Sequence, residues 1–182
     1  MSKNNRKTID KILTSIGIIA TIALLVIGGL SWWAYSFTSS NVHNELASQK
    51  IYFPPKGSPE LKNANIGPFL NKYAGQQLLT GPQAKAYADH FIAVHLSEVA
   101  NGKTYSEVSS ELQANPNNAK LKAESQTLFQ GETLRGLLLG DAYAFSTVGM
   151  IAKITAIVCF IAGGLMLILV LLGFWHLTTL DN

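Results

Sequence analysis

Few side chains in this sequence are spaced so that they share a chemistry. His90 and His95 are the closest pair of histidines, with Asp89 and Glu98 beside them. A metal held on one helix face needs donors at i and i+3 or i+4, as in H-E-x-x-H. A spacing of five turns the second imidazole by roughly 140° at about 100° per residue, so the two rings face different ways. The expectation is therefore no metal site, with His95 near the apolar stripe of its helix as a core or interface residue. No G-x-S-x-G elbow or phosphate-cradling glycine loop is present. The lone cysteine, Cys159, lies in an apolar run, so no intramolecular disulfide or thiolate cluster forms. Catalytic residues, metals and cofactors are accordingly expected to be none.

The elements carrying these residues are set by two charge-free runs. Ile154 to Trp175 contains 22 residues without a charge, and Ile12 to Leu30 contains 19. At about 1.5 Å per residue, each approaches or crosses a bilayer core roughly 30 Å thick. The fold class expected is an all-α membrane protein, with two transmembrane helices and a small helical extracytoplasmic domain between them. The segments are a basic tail at 1–11, a first span at 12–35, the outer domain at 36–147, a second span at 150–176 and a tail at 177–182. A retained signal-anchor is expected for the first span, because its run is longer than a signal-peptide core and continues into Trp32 and Trp33. Cleavage after the small residues Ala34 and Ser36 is the alternative.

Charge fixes the orientation. Lys3, Arg6, Lys7 and Lys11 stand against Asp10 alone before the first span, which places the N-terminus inside and, after two crossings, the C-terminus too. Asp141 and Lys153 read as interfacial groups at the outer boundary, Lys153 snorkelling outward. Residues 38–150 carry nine Lys/Arg and nine Asp/Glu, a neutral mixture that gives no reason to expect nucleic acid.

Between the spans the pattern is helical. Phe37 to Gln49 extends the first helix, and Ile51 to Pro59 is extended because its prolines remove donors and restrict their neighbours. A short helix is expected near Gly67 to Tyr73. Thr80 with Gln83 and Thr104 with Glu107 are capping boxes, and Asn101-Gly102 supplies a left-handed stop between the two helices that they open. From about residue 118 one long helix should run to 176, bent near Gly136, Gly140 or Gly149.

Lipid offers no hydrophobic drive between helices, so the spans should meet through small residues. Thr14, Gly17, Thr21 and Gly28 share one face of the first. Ala152, Ala156, Cys159 and Gly163 share one face of the second, and Leu25 is expected on the far side of the first. Antiparallel pairing puts Gly28 level with Cys159.

The pattern Gln83-Ala84-x-Ala86-x-Ala88-Asp89-x-Phe91-Ile92-x3-Leu96, then Gly102-Lys103-Thr104-Tyr105-Ser106-Glu107, resembles a family of uncharacterised actinobacterial two-span inner-membrane proteins. The resemblance covers roughly residues 12–175. It implies two spans around a small outer helical domain in the bacterial cytoplasmic membrane, with no assigned activity. Some relatives carry an aromatic ring-opening dioxygenase label. That chemistry needs a positioned iron, and this chain offers no convergent ligand set, so the activity is not carried over.

The leading functional expectation is a non-enzymatic membrane protein, an interaction or accessory subunit of an envelope complex or a homo-oligomer. Its partners would be the lipid bilayer and another membrane protein or a second copy. One alternative is binding of a lipid or apolar ligand at the outer membrane–water interface, with Leu134 to Phe145 lining the pocket. The other is an enzyme whose site assembles from residues distant in sequence.

Overall fold

A computed structural model describes residues 3–181, with side chains from Asn5 to Thr179. The described chain is helical, with seven α-helices: α1 (Lys3–Gln49), α2 (Gly67–Leu70), α3 (Gly81–Tyr87), α4 (Ala93–Val99), α5 (Tyr105–Ala114), α6 (Ala119–Leu137) and α7 (Phe145–Asp181). Two π-helical segments, Ala88–Ile92 and Leu138–Ala144, join α3 to α4 and α6 to α7. No strand forms among the described residues; the one backbone bridge pairs Tyr52 with Gln77. Two helical runs, one in α1 and one from α6 through α7, are long and apolar enough to cross a membrane.

The contacts divide the chain into two compact units. One comprises the residues through Phe37 together with those from Gly149 onward, and the other is Thr38–Val148. In the first unit two helical segments pack side by side with most of their large apolar side chains outward. In the second, helices surround a core that includes Leu46, Phe53, Leu70, Leu78, Val108 and Leu138.

That core is tied together by the extended segment after α1. Lys50 takes φ +53° and ends the helix. Backbone bonds then run from Phe53 N–H to Gln76 O (2.9 Å), from Leu78 N–H to Ile51 O (2.9 Å) and from Gly75 N–H to Pro54 O (3.0 Å). They hold Phe53 inward, 2% exposed, with its ring 5.1 Å from that of Tyr73 and 5.4 Å from that of Tyr87. Full burial of such a ring contributes about 2–3 kcal/mol, and each aromatic contact adds roughly 0.5–1.5 kcal/mol.

Helix starts follow the side chains that can satisfy free N–H groups. Thr80 Oγ1 accepts from Gln83 N–H (3.4 Å), while Gln83 Oε1 accepts from Thr80 N–H (3.0 Å). Thr104 and Glu107 repeat the arrangement, at 3.3 and 2.7 Å. The second box also holds the Glu107 carboxyl below its ordinary pKa, chiefly through the Thr104 backbone N–H. Asn118 caps α6 by accepting from the N–H groups of Lys120 and Leu121.

The helix expected from Thr80 to Asn101 has a π turn in its middle, and the packing explains it. Ala84, Ala88, Ile92, Leu96 and Ala100 are all buried, a strict spacing of four. In an ideal α-helix each step of four drifts about 40°, which would carry the last of these round toward the opposite face. A π turn bonds i to i+5, underwinds the helix and takes back part of that drift. The long C-terminal helix is likewise continuous, and its irregularity is the π segment around Gly140.

Asn101 and Gly102 both have positive φ, +53° and +82°, with Gly102 N–H bonded to Ser97 O at 2.7 Å. The Gly102 position is open, so an added Cβ would suffer from backbone strain alone. Gly102→Ala should lower the stability of the purified chain by about 1 kcal/mol in a thermal melt. Asn101→Gly, at an angle that asparagine already tolerates, should change it by less than half as much. Equal effects at both positions would refute this assignment of the stop.

Candidate functional site

The histidines expected to diverge occupy separate environments. His90 stacks on Phe69, ring centroids 3.5 Å apart. His95 is half-buried, with Nδ1 2.7 Å from Phe91 O and its ring 4.4 Å from the Phe91 ring. Asp89 is engaged elsewhere: Lys85 forms an ion pair and hydrogen bond with it, and Arg135 Nη2 lies 3.7 Å away. The Asp89 bond raises the Lys85 pKa. This cluster joins α3 and its π turn to α6. Among the described residues no three His, Cys, Asp or Glu side chains converge on a metal position.

In the unit that holds both apolar runs, Thr14, Gly17, Thr21 and Gly28 are buried on α1. On α7, Ala156, Cys159 and Gly163 are buried and Ala152 is half-buried. A Cβ added at Gly28 would lie 2.9 Å from the Phe160 ring and 3.4 Å from Cys159 Cβ, and one at Gly17 would lie 2.8 Å from Val170 Cγ2. The Thr21 hydroxyl donates to Gly17 O (2.8 Å), which satisfies it within its own helix. Leu25 is a correction. Three residues from Gly28 is 300° of rotation, only about 60° away. Its Cδ2 accordingly sits 3.3 Å from where a Gly163 Cβ would be, so Leu25 borders the contact face.

Lys153 lies over the Tyr35 ring, 5.0 Å from its centroid. At the other end of this unit, Asp10, Thr14, Gly173 and His176 border a cavity of about 280 Å³, with His176 Nε2 3.6 Å from Asp10 Oδ2.

In the unit Thr38–Val148 a groove of about 350 Å³ opens between the last turns of α1 and the second π segment. Val42 and Leu46 from α1, and Leu138 and Ala142 from the π segment, form its buried floor. Leu137 and Phe145 stand at its mouth, 53% and 37% exposed. Asn41, Glu45, Gln49 and Asp141 make an exposed polar rim. A shallower apolar depression lined by Gly140, Ala144 and Val148 continues it, sharing Asp141 and Phe145.

The π segment is fixed from behind. A Cβ on Gly81, at the start of α3, would collide with Ser146 and meet Ala142 O at 3.1 Å, so only glycine permits this approach. The capping box at Thr80 sets the entry of α3 at that point. The apolar stretch Leu134 to Phe145 thus contributes five groove residues. The opposite wall was missed, because 37–49 reads as a polar extension of the first helix. The signal was there in Thr38, Val42 and Leu46, spaced by four and all buried.

Compared with known proteins, the chain matches no family model, no curated protein and no solved structure.

The helix contact yields a direct test. Disulfides need Cβ atoms about 3.5–4.5 Å apart, which the Gly28 position nearly offers to Cys159. Gly28→Cys should cross-link to native Cys159 under mild oxidation, after a small shift of the Phe160 ring. Leu30→Cys, about 160° round the helix, should not. A protease cut in the segment between the runs reveals the link on a denaturing gel. Fragments joined by Leu30→Cys and left separate by Gly28→Cys would contradict the pairing.

Proposed function

We propose that this chain is an integral membrane protein with two spans and both termini cytoplasmic, and that its outer unit binds an apolar ligand drawn from the bilayer. Membership of the actinobacterial two-span family, and a binding role in place of catalysis, belong to the same proposal. The groove between α1 and the second π segment is the observation that carries it. An apolar floor with a few polar groups at the rim is the make-up of a small-molecule site, and about 350 Å³ falls near the low end of the usual range of roughly 300–1,000 Å³. π turns also recur at functional positions, where the extra residue opens a helix surface.

The walls favour a ligand with a chain over a docked protein. The groove is concave, and the exposed apolar side chains Leu137, Phe145 and Val148 lead away from it along one helical run. A bulky partner would cover such a strip from outside, whereas an acyl chain can enter the groove and lie along it. The two groove walls are the chain segments that directly follow the first apolar run and precede the second, which suits a ligand taken from lipid.

Native mass spectrometry from neutral detergent tests the binding. The wild-type chain should retain a lipid-sized adduct, and Leu137→Trp, which narrows the mouth at an exposed position, should reduce that retention severalfold. Equal retention by both would remove the groove as the site. Orientation is tested separately in intact cells. Cysteine at Gln113 should react with a membrane-impermeant maleimide and cysteine at Asn5 should not; the reverse would overturn the charge argument.

A further inference from the structure

The groove has a charge preference written into its rim. We propose that it selects a lipid with a primary ammonium head, Glu45 and Asp141 facing the cation while one apolar chain occupies the floor. This rests on the groove being the binding site. Two carboxylates and no basic side chain line it, although the surrounding sequence, residues 38–150, carries equal numbers of acidic and basic groups.

Of the seven other carboxylates of this unit, Glu98 also has no side-chain hydrogen bond or ion pair among the described residues, Glu60 is held chiefly by its own backbone N–H, and the remaining five are engaged. Asp89, Glu111, Glu124 and Glu132 each lie within ion-pair distance of a lysine or arginine. Glu107 is held in its capping box. Among the described residues neither Glu45 nor Asp141 has a side-chain hydrogen bond or ion pair, and both are exposed at the groove mouth. A cation placed there meets two acceptors without displacing an existing partner. The Asn41 and Gln49 amide oxygens on the same rim can accept N–H bonds. A primary ammonium has three donors to offer, and a quaternary head has none. An anionic head would meet two like charges, and a neutral one would leave both carboxylates unanswered.

The experiment uses the full chain in a neutral glycoside detergent at pH 7.5, with native mass spectrometry of three probes of one chain length: dodecylamine, dodecanol and dodecanoate. Dodecylamine should bind about five-fold more tightly than dodecanol, the scale expected of exposed charge pairs, and dodecanoate more weakly than either. Dodecyltrimethylammonium should fall below dodecylamine. In the Glu45→Gln/Asp141→Asn double variant, folded by circular dichroism, dodecylamine should drop to the level of dodecanol while dodecanol is unchanged. Equal binding of dodecylamine and dodecanol to the wild type, or a preference that survives in the double variant, would overturn the charge selection and leave the groove reading standing. Failure of all probes to bind would overturn both.

Discussion

Backbone groups in a bilayer have no water to turn to. A crossing segment must therefore satisfy every N–H and C=O within itself, and each unsatisfied group costs several kcal/mol. Helices are the way a two-run chain can meet this constraint. Here neither helix stops where its apolar run does. α1 continues to Gln49, and an unbroken helical run beginning at Ala119 leads into the second apolar stretch. The elements between residues 50 and 118 pack on one another and on the parts of these helical runs that lie within Thr38–Val148. Val42 and Leu46 from the first, and Leu128 and Leu138 from the second, supply core positions to that end.

This arrangement leaves a space that the intervening helices do not fill. Residues 81–87 brace the second π segment through the side-chain-free Gly81, and residues 51–54 tie α1 to residues 75–78; the stretch expected to be extended to Pro59 instead turns at Pro55–Ser58, with Gly57 at φ +86°. Neither covers the groove between residues 41–49 and 137–145. Its floor is apolar and its rim holds two carboxylates with no partner among the described residues, so the groove combines a favourable burial term for a chain with a directional preference at the head.

How much of this can be read from the residues depends on whether the cause is local. Capping boxes are local chemistry, so Thr80 with Gln83 and Thr104 with Glu107 mark their helix starts directly. The Asn101-Gly102 stop is equally visible, because few other residues accept positive φ. The two apolar runs follow from hydropathy and length. The π turn at Ala88–Ile92 is not local: it settles a mismatch between a spacing of four and a helical period of 3.6, and that mismatch exists only once Ala84 through Ala100 have a surface to face. The α1 wall of the groove was hidden for a similar reason. Val42 and Leu46 sit among Asn, His, Glu and Ser, and become core only because other elements lie against them. Leu25 shows a plainer limit, since angular placement at 100° per residue has to be carried through for each residue.

The central claim is that a ligand enters between residues 41–49 and 137–145. Amide hydrogen exchange of the full chain, with and without dodecylamine, tests it most directly, because protection reports on both walls at once. The account predicts slower exchange at 41–49 and 137–145 together, with residues 105–118 unchanged. Protection confined to one wall, or spread evenly over the chain, would contradict it.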